Sequence, residues 1–224
     1  MAPTLLEILL HFIWPVQCPL CGRIASVVCP DCLDALLGET MNLCSLCRGP
    51  YPCSSHGGAP PLFVGALHEG RPRELLLLLK YKGMRSLGPP LGRALGRAFE
   101  APAADGLVPL PLHRGSPRGY NQSLLIARGL SAIWRLPVVD GLAWAGRRPG
   151  QTGRSAAQRR DLPEDVLRWR QGAASIAGKR LVVVDDVCTT GATLDRARRV
   201  LEGAGASVAA LVVWTASEGR RDGL

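Results

Sequence analysis

The chain has 224 residues and a mass of 23.9 kDa, enough for one α/β domain of about 100–200 residues and a smaller unit. Hydrophobic residues make up 47% of the sequence and charged residues only 20%, a balance that excludes a largely disordered chain. Lys and Arg number 27 against 18 Asp and Glu, which gives a net charge of +9 and favours a phosphate or a nucleic acid as partner, although an Arg-rich genome would produce the same excess.

The segment from Leu5 to Trp14 is an apolar run that Glu7 and His11 interrupt. No Lys or Arg precedes it, so a secretory signal is not predicted. The run stops at Pro15, short of the ~20 residues that a membrane-spanning helix needs. We expect an amphipathic helix packed on the protein body, with docking to a partner or a membrane surface as the alternative. The prediction is a cytoplasmic protein that is not integral to the membrane, with peripheral attachment at the inner face of the membrane as the alternative.

Seven of the eight cysteines lie between Cys18 and Cys53. They form three Cys-x-x-Cys pairs, and a fourth pair of the same spacing ends in histidine. Two thiolates two residues apart can bind one tetrahedral Zn²⁺ from a tight turn, and two such pairs complete its ligand shell. We predict an N-terminal helix and a double zinc ribbon over residues 1–60, with one or two structural zinc ions; secreted disulfides and a redox pair are the disfavoured alternatives. The predicted ligands are Cys18, Cys21, Cys29, Cys32, Cys44, Cys47, Cys53 and His56.

Residues 57–61, with the sequence GGAPP, separate the cysteine-rich segment from the rest of the chain. We place a domain boundary near residue 60, which leaves residues 61–224 as the second and larger domain. After the boundary, LFVGALHEG predicts a strand and RPRELLLLLKYKG predicts a helix with a basic end. PPLGRALGRAFEA predicts a second helix that begins at Pro89 or Pro90, because proline suits the first turn of a helix.

The following segments alternate between strand and helix patterns. GLVPLPLHRG predicts a short apolar strand, and NQSLLIARGLSAIWRL predicts a helix with Asn121 or Ser123 as its N-cap and Pro137 beyond its end. The stretch from Arg147 to Trp169 has few apolar residues and five arginines before residue 161, which indicates a mobile basic loop. KRLVVVDD and ASVAALVVWT predict buried strands on either side of the helix ATLDRARRVLEGAG. Apolar strands that alternate with helices indicate an α/β fold with a parallel sheet covered on both faces.

The apolar strand at residues 181–184 leads directly into two adjacent acids, Asp185 and Asp186, and then into a run of small residues. In a parallel sheet, ligands collect at the carboxyl ends of the strands, where helix N-termini present free amides to anions. The hydroxyl groups of the run, and its glycine without a Cβ, let the backbone wrap closely around a phosphate. Because carboxylates repel a phosphate, we expect them to bind another part of the same ligand, and adjacent acceptors suit a ribose diol. The motif therefore predicts a sugar phosphate site.

VVVDDVCTTGATL resembles the phosphoribosyl pyrophosphate (PRPP) binding motif of type I phosphoribosyltransferases. The resemblance implies the parallel sheet of the type I phosphoribosyltransferase fold, Mg²⁺ bound with PRPP, and ribose hydroxyls bound by the two acids. A P-loop is excluded because GxxxxGK[ST] is absent. We interpret Cys188 as a buried apolar residue, with a redox role as the alternative. The residues of the motif implied to bind PRPP are Asp185, Asp186, Val187, Cys188, Thr189, Thr190, Gly191, Ala192 and Thr193.

The charge that develops on pyrophosphate has to be neutralised by positive groups outside the motif. LKYKG offers Lys80 and Lys82 as PRPP-binding residues, and LHRGSPRGYNQS offers Arg114 and Arg118, which we expect to act in catalysis with the paired acids. A solvated surface charge is the alternative for each of these cations. The predicted basic loop, which would close over the site and exclude water, adds Arg154, Arg159 and Arg160.

The order of motifs along essentially the whole chain is similar to that of the ComF family: the cysteine pairs, LKYKG, VPLPLHRGSPRGYNQS, QTGRSAAQRRDL, GKRLVVVDDVCTTGATL and GAGASV. The resemblance implies a small zinc-ribbon module in front of a type I phosphoribosyltransferase domain. It also implies a role in natural transformation, in which imported single-stranded DNA crosses the inner membrane of a bacterium. The partners implied besides PRPP are single-stranded DNA and a competence helicase or channel protein. A related group is described as amidophosphoribosyltransferase-like.

Two hypotheses on activity remain open. Purine transferases of this fold place an acid at the start of the phosphate loop, where this chain has Thr189, which is no general base at neutral pH. The sequence also shows no glutamine-hydrolysing domain, and so no ammonia source. The chain is either a phosphoribosyltransferase that acts on an unidentified acceptor, or a DNA-uptake protein that binds single-stranded DNA through salt-sensitive contacts and uses PRPP for binding or regulation.

Overall fold

The computed structural model describes residues 17–24, 27–112, 116, 118–144 and 167–218. The predicted N-terminal helix at residues 5–14 lies outside these ranges. The helices are α1 (Pro30–Leu36), α2 (Gly70–Tyr81), α3 (Gly88–Ala98), α4 (Gln122–Trp134) and α5 (Ala192–Gly203), with a 3-10 turn at Arg85–Leu87. The strands are β1 (Met41–Cys44), β2 (Pro61–Leu67), β3 (Gly106–Pro109), β4 (Leu142–Trp144), β5 (Leu167–Trp169), β6 (Arg180–Cys188) and β7 (Ser207–Ala216).

The main sheet has five strands in the order β1-β2-β7-β6-β3. Its strands are parallel except for β1, which is antiparallel to β2 at one edge. In β6, Val182 and Val184 pack with residues of α2, α3 and α4, whereas Val183 packs with residues of α5 on the other face. A strand that is buried on both faces has to be apolar at every position, not at every second one. The prediction of an α/β fold with a parallel sheet covered on both faces is confirmed, with the antiparallel edge strand β1 added to it.

The cysteine-rich segment is joined to this sheet. Its strand β1 pairs with β2 along its whole length. Leu33 and Leu37 of the same segment are buried in one apolar layer with Phe63 of β2, and an ion pair of 2.6 Å joins Asp34 of α1 to Arg97 of α3. The segment before residue 60 thus forms one edge of the sheet and covers part of the core.

The predicted helices and strands after residue 60 are present, with shifts of up to three residues at their ends. α3 begins at Gly88, directly before the predicted prolines. Asn121 is the N-cap of α4, since its side-chain oxygen accepts a hydrogen bond of 3.4 Å from the Leu124 amide, and Ser123 is already helical. In the part of the chain that the structure describes, none of the helices has the length and apolarity needed to span a membrane.

The prediction of a loop from residue 147 to residue 169 is wrong for the last three residues. Leu167–Trp169 form β5, which pairs antiparallel with β4 in a separate two-stranded sheet. The ring of Trp169 lies on the backbone of Gly141, where an added Cβ would be 2.2 Å away. A three-residue strand is too short to show a period of two, and only long-range pairing gives its apolar side chains a place to pack. Residues 147–166 lie outside the described ranges.

The backbones of α3 and α4 are in direct contact. A Cβ at Gly92 of α3 would lie 1.9 Å from the Ile126 carbonyl oxygen, and a Cβ at Gly129 of α4 would lie 2.0 Å from that of Pro89. Because α4 also lies against β3 and β6, this close approach sets where the first turn of α4 stands at the end of the sheet. The glycines of α3 that meet α4 recur every fourth residue: Gly88, Gly92 and Gly96.

We expect Gly92→Ala to lower the free energy of unfolding by about 2 kcal/mol or more, because the added methyl group has to push two helix backbones apart. Gly203→Ala is the matched control, since Gly203 is also helical but has nothing within 4 Å of an added Cβ. Alanine there should be neutral or stabilising by up to about 1 kcal/mol. Urea unfolding followed by circular dichroism measures both changes, and equal effects of the two substitutions would contradict the contact between α3 and α4.

Candidate functional site

The two adjacent acids lie at the edge of the sheet where its parallel strands end. β6 continues through Asp185 and Asp186 to Cys188, so strand backbone holds both carboxylates. Gly191 is the N-cap of α5 and has φ +78°, a left-handed conformation that favours glycine. It lets the chain pass from strand to helix within residues 189–193, which we call the 189–193 loop. The free amides of the α5 N-terminus therefore follow directly after the two acids.

Asp185 is held by hydrogen bonds from two directions. The Ser123 hydroxyl of α4 donates to Asp185 Oδ1 at 2.8 Å, and the Asp186 amide donates to the same oxygen at 2.8 Å. Burial, and next the negative charge of Asp186, raise the pKa of Asp185 to about 7, although these hydrogen bonds and the Lys80 charge lower it in part. This carboxyl therefore gains and loses its proton near neutral pH.

Asp186 forms an ion pair with Lys80. Asp186 is only 8% exposed. Its Oδ2 lies 3.0 Å from Nζ of Lys80, which belongs to the last turn of α2. A cation this close compensates for much of the loss of hydration that a buried carboxylate suffers. The pair also places one of the predicted PRPP-binding lysines directly beside the predicted ribose-binding acids.

These groups line a cleft of about 250 Å³. Sequence analysis did not single out two of its lining residues, Trp144 and Arg196, and it included Gln122 only as part of the motif VPLPLHRGSPRGYNQS. Gln122 is only 3% exposed, and its Nε2 has no hydrogen-bond partner among the described residues. The sequence signals for Gln122 were its place in that motif and its position directly after the Asn121 cap, in the first turn of α4. Predicted site residues that the cleft brings together are Lys80, Arg118, Asp185, Asp186 and Thr193.

The other predicted site residues are placed differently. Lys82 is exposed beyond the end of α2 and is not among the residues that line the cleft. Thr189 and Thr190 are exposed in the 189–193 loop, and the Thr190 hydroxyl accepts a hydrogen bond of 3.3 Å from the Ala192 amide. Cys188 is buried, as its interpretation as an apolar residue requires, and Val187 packs partly buried against the core. The predicted cations that lie outside the described residues are Arg114, Arg154, Arg159 and Arg160.

Aromatic rings hold the segment before α4 against α2. The Arg118 guanidinium lies 5.0 Å from the centre of the Tyr81 ring, and the Arg85 guanidinium lies 4.6 Å from that of Tyr120, distances at which a cation is attracted to the face of a ring. The Tyr120 hydroxyl donates to the Leu79 carbonyl of α2. Arg118 is therefore held against α2, where it lines the cleft together with Lys80.

A histidine that sequence analysis missed lies at the end of β2. His68 Nδ1 is 2.8 Å from the Thr215 hydroxyl of β7. Burial, and next the charges of Lys80 and Arg73, lower the pKa of His68, while the charge of Asp186 opposes them. The imidazole is therefore neutral at neutral pH. A single histidine in LFVGALHEG gave no sequence signal, because only the sheet brings it to the same edge as the two acids.

The predicted zinc ligands form two groups, and in each group all ligand atoms lie within 4.8 Å of one another. In the first, Cys21 Sγ is 3.7 Å from Cys29 Sγ. In the second, Cys53 Sγ is 3.6 Å from Cys47 Sγ and 3.5 Å from His56 Nδ1. Tetrahedral zinc with Zn–S bonds of about 2.3 Å and Zn–N bonds of about 2.0 Å requires S···S distances of about 3.8 Å and S···N distances of about 3.5 Å. Both groups therefore fit a zinc ion: the first cysteine group, Cys18, Cys21, Cys29 and Cys32, and the second cysteine group, Cys44, Cys47, Cys53 and His56.

Backbone amides stabilise a thiolate in each cysteine group. Burial raises the pKa of Cys18, but hydrogen bonds from the amides of Cys29, Leu20 and Cys21 lower it more strongly, to about 6. The pKa of Cys44 is lowered in the same way by amides of the turn that it begins. Since the thiolate is the form that binds a metal, these turns are suited to metal binding.

Comparison with known proteins agrees with this arrangement. Residues 122–223 match the family model of the phosphoribosyl transferase domain. Competence protein F from Haemophilus influenzae is 29% identical over 121 residues, which are 53% of this chain and 52% of that protein. The chain thus spans about half the length of this curated relative.

Two solved structures illustrate the structural similarity. Adenine phosphoribosyltransferase from Thermoanaerobacter pseudethanolicus is 22% identical over 62% of this chain and 71% of its own, with a TM-score of 0.42. Glutamine PRPP amidotransferase from B. subtilis is 28% identical over 58% of this chain and 26% of its own, with a TM-score of 0.39. The two acids and the 189–193 loop thus lie inside the segment that matches the phosphoribosyl transferase domain, at one end of a mostly parallel sheet, in a chain that is similar to competence protein F.

Proposed function

We propose that the cleft binds PRPP together with Mg²⁺. The observation that carries this proposal is that two carboxylates, two cations and the first turn of a helix share one cleft: Asp185, Asp186, Lys80, Arg118 and Thr193. PRPP has three chemically different parts, a ribose diol, a 5'-phosphate and a pyrophosphate. Only a site with both acceptors and cations serves all three.

The chemistry of the cleft supports a place for each part of PRPP. The hydroxyls and amides of the 189–193 loop suit the 5'-phosphate, because they donate hydrogen bonds at a helix N-terminus. The carboxylates of Asp185 and Asp186 accept hydrogen bonds, which suits the ribose hydroxyls. Lys80 and Arg118 suit the pyrophosphate, and the buried Gln122 amide, which has no partner among the described residues, adds a donor at the first turn of α4.

Mg²⁺ prefers oxygen ligands from carboxylates and substrate phosphates, which Asp185, Asp186 and PRPP together supply. Bound with PRPP, the ion would neutralise part of the pyrophosphate charge. The Asp185 carboxyl, with its pKa of about 7, accepts hydrogen bonds with both oxygens only after it loses its proton. PRPP binding and ionisation of Asp185 are therefore coupled.

We propose natural transformation as the process in which this PRPP site acts. Similarity to competence protein F supports the proposal. The net charge of +9 and the exposed Tyr81 ring, which is 65% exposed beside Arg118, suit single-stranded DNA, since phosphates need cations and bases stack on rings.

Transfer of the phosphoribosyl group to an acceptor is the alternative function. Such a transfer needs a group that takes a proton from the nucleophile, and Thr189 at the start of the loop is not one. The observation that favours transfer is the neutral His68 at the same edge of the sheet. An imidazole with a lowered pKa is able to accept a proton at neutral pH.

We expect Asp185→Asn/Asp186→Asn to weaken PRPP binding with Mg²⁺ by at least about 100-fold, since each hydrogen bond to a charged group is worth about 1.5–3 kcal/mol. Titration calorimetry measures the affinity. The matched control is Asp34→Asn/Asp140→Asn, which removes the same charge from surface ion pairs whose acids are 54% and 47% exposed. Equal losses in the two variants would contradict the assignment of the acids to the ribose.

The same proteins distinguish binding from catalysis. Pyrophosphate release from PRPP, measured with and without single-stranded DNA, is expected to stay at the background rate if the site serves binding alone. Release that the double variant abolishes would establish transfer, and release only with DNA would identify the nucleic acid as acceptor or activator.

We expect the free energy of unfolding of the unliganded protein to fall as the pH rises from about 4 to about 7, through a contribution that Asp185→Asn removes. The folded state keeps the Asp185 proton up to a pKa of about 7, whereas the free carboxyl ionises near 3.8. The folded state thus binds more protons in this window, and stability falls with rising pH. Saturating PRPP with Mg²⁺ should remove this contribution, and urea unfolding between about pH 5 and about pH 8 measures it. Identical slopes for wild type and variant would contradict the raised pKa.

We propose that both cysteine groups hold structural zinc. The expected content is two zinc ions per chain, with one lost on Cys21→Ser and one lost on Cys47→Ser, because these thiols are exposed ligands whose packing role is small. Plasma emission spectroscopy counts the metal, and chelation should lower the melting temperature. Cys188→Ala, outside both groups, is the control and should retain both ions. Retention of both ions by Cys21→Ser or Cys47→Ser would contradict the proposal.

A further inference from the structure

An arginine in the turn that carries Cys44 and Cys47 contacts the 189–193 loop. Arg48 follows Cys47 and has a left-handed backbone with φ +59°. Its amide donates to the Cys44 carbonyl at 2.9 Å, and the Cys44 amide donates to the Gly49 carbonyl at 2.8 Å. These bonds close the turn that carries Cys44 and Cys47, so the backbone of the metal group fixes the direction in which the Arg48 side chain leaves it.

The Arg48 guanidinium ends against the N-cap of α5. A Cβ added to Gly191 would lie 3.2 Å from Arg48 Nη2 and 3.9 Å from its Nε. Nη2 is buried and has no hydrogen-bond partner among the described residues. The Arg48 charge also reaches Cys188, whose pKa burial raises and Arg48 lowers in part. A partly buried cation, with Nη2 fully buried, therefore lies directly beside the loop proposed to bind the 5'-phosphate.

The turn around Arg48 packs closely on the first turn of α5. Ser45 and Leu46 share a small cavity with Gly191, Leu194 and Arg198, and this cavity has a volume of about 10 Å³. A space of this size scarcely holds one water molecule. The turn that carries Cys44 and Cys47 therefore borders the first turn of α5, and the Arg48 side chain joins the two at Gly191.

A guanidinium nitrogen that is buried without a hydrogen-bond partner, as Arg48 Nη2 is, is unfavourable unless an anion is near. The N-terminus of α5 adds a positive partial charge at the same place. The Arg48 guanidinium and the N-terminus of α5 together raise the free energy of the loop when no anion is bound. A bound phosphate would compensate for both positive charges. The left-handed φ of +78° already favours glycine at 191, and a Cβ there would also crowd Arg48 Nη2 at 3.2 Å.

We propose that Arg48 is a positioning residue of the 5'-phosphate subsite, and that the second cysteine group, through its metal, fixes Arg48 there. The proposal rests on the proposed PRPP function and adds regulation to it: loss of metal from the second cysteine group releases Arg48 and weakens the phosphate subsite. The atoms nearest to a Cβ at Gly191 belong to Arg48 and Cys188, and none of them belongs to the first cysteine group.

The test uses two probes, each of which represents one part of PRPP. They are ribose 5-phosphate, and inorganic pyrophosphate with Mg²⁺, and each is titrated into the full chain by calorimetry. Arg48→Ala should weaken ribose 5-phosphate binding by about 10- to 100-fold and leave pyrophosphate binding within about twofold. Arg48→Lys should restore part of the loss, because it returns the charge without the planar fork. Arg93→Ala, which removes a charge from an exposed position on α3, is the control and should change neither.

A second set of variants compares the effects of removing a metal ligand from each of the two cysteine groups. Cys47→Ser should weaken ribose 5-phosphate binding as much as Arg48→Ala does, and the double variant should be no weaker than either one. Cys21→Ser, in the first group, should leave ribose 5-phosphate binding unchanged. If Cys47→Ser fails to fold, Arg48→Ala and Arg48→Lys, which retain all metal ligands, still decide the role of Arg48.

The outcomes separate this proposal from the function on which it rests. Ribose 5-phosphate binding by wild type that Arg48→Ala leaves unchanged would overturn the role of Arg48 and leave the PRPP site intact. Equal losses for both probes would also overturn it, because they would show a general structural effect of Arg48. Absence of binding of either probe by wild type would overturn the PRPP function and this proposal together.

Discussion

Two adjacent carboxylates at the end of a strand that is buried on both faces are the constraint on which the rest of this structure depends. Burial of Asp185 and Asp186 is costly, and two charges next to each other add to that cost. Lys80 of α2 and Ser123 of α4 compensate from two different helices. Strained and buried charges of this kind concentrate at functional sites, where a ligand completes the compensation.

The positions of α2 and α4 follow from this constraint. The last turn of α2 has to bring Lys80 to Asp186, and the first turn of α4 has to bring Ser123 to Asp185. The three glycines of α3 make the contact between Ser123 and Asp185 possible, because they let the backbone of α4 approach that of α3. A larger residue at Gly92 would shift α4 along with its first turn. The packing of two helices on one side of the sheet thus sets the geometry of the cleft.

The cysteine-rich segment contributes directly to the main sheet and to the core, which a separate module would not do. Its strand β1 extends the sheet, and its α1 covers the core beside α3. Through Arg48 it also reaches the N-cap of α5. A segment that touches both the edge of the sheet and the 189–193 loop connects the proposed metal sites with the proposed phosphate site by direct packing.

The sequence by itself determined the features that depend on local pattern. An apolar run shows that β6 is buried on both faces, the residues that follow predict the turn into α5, and the two-residue cysteine spacing predicts two sets of metal ligands that the structure brings together. Only the tertiary structure decided which distant side chains meet these elements. Ser123 and Asp185 are 62 positions apart, β5 is a strand only because β4 lies beside it, and Arg48 meets Gly191 across the sheet edge. Local conformation follows from backbone preference and burial period, whereas these contacts depend on how helices and strands pack, which no short stretch of sequence encodes.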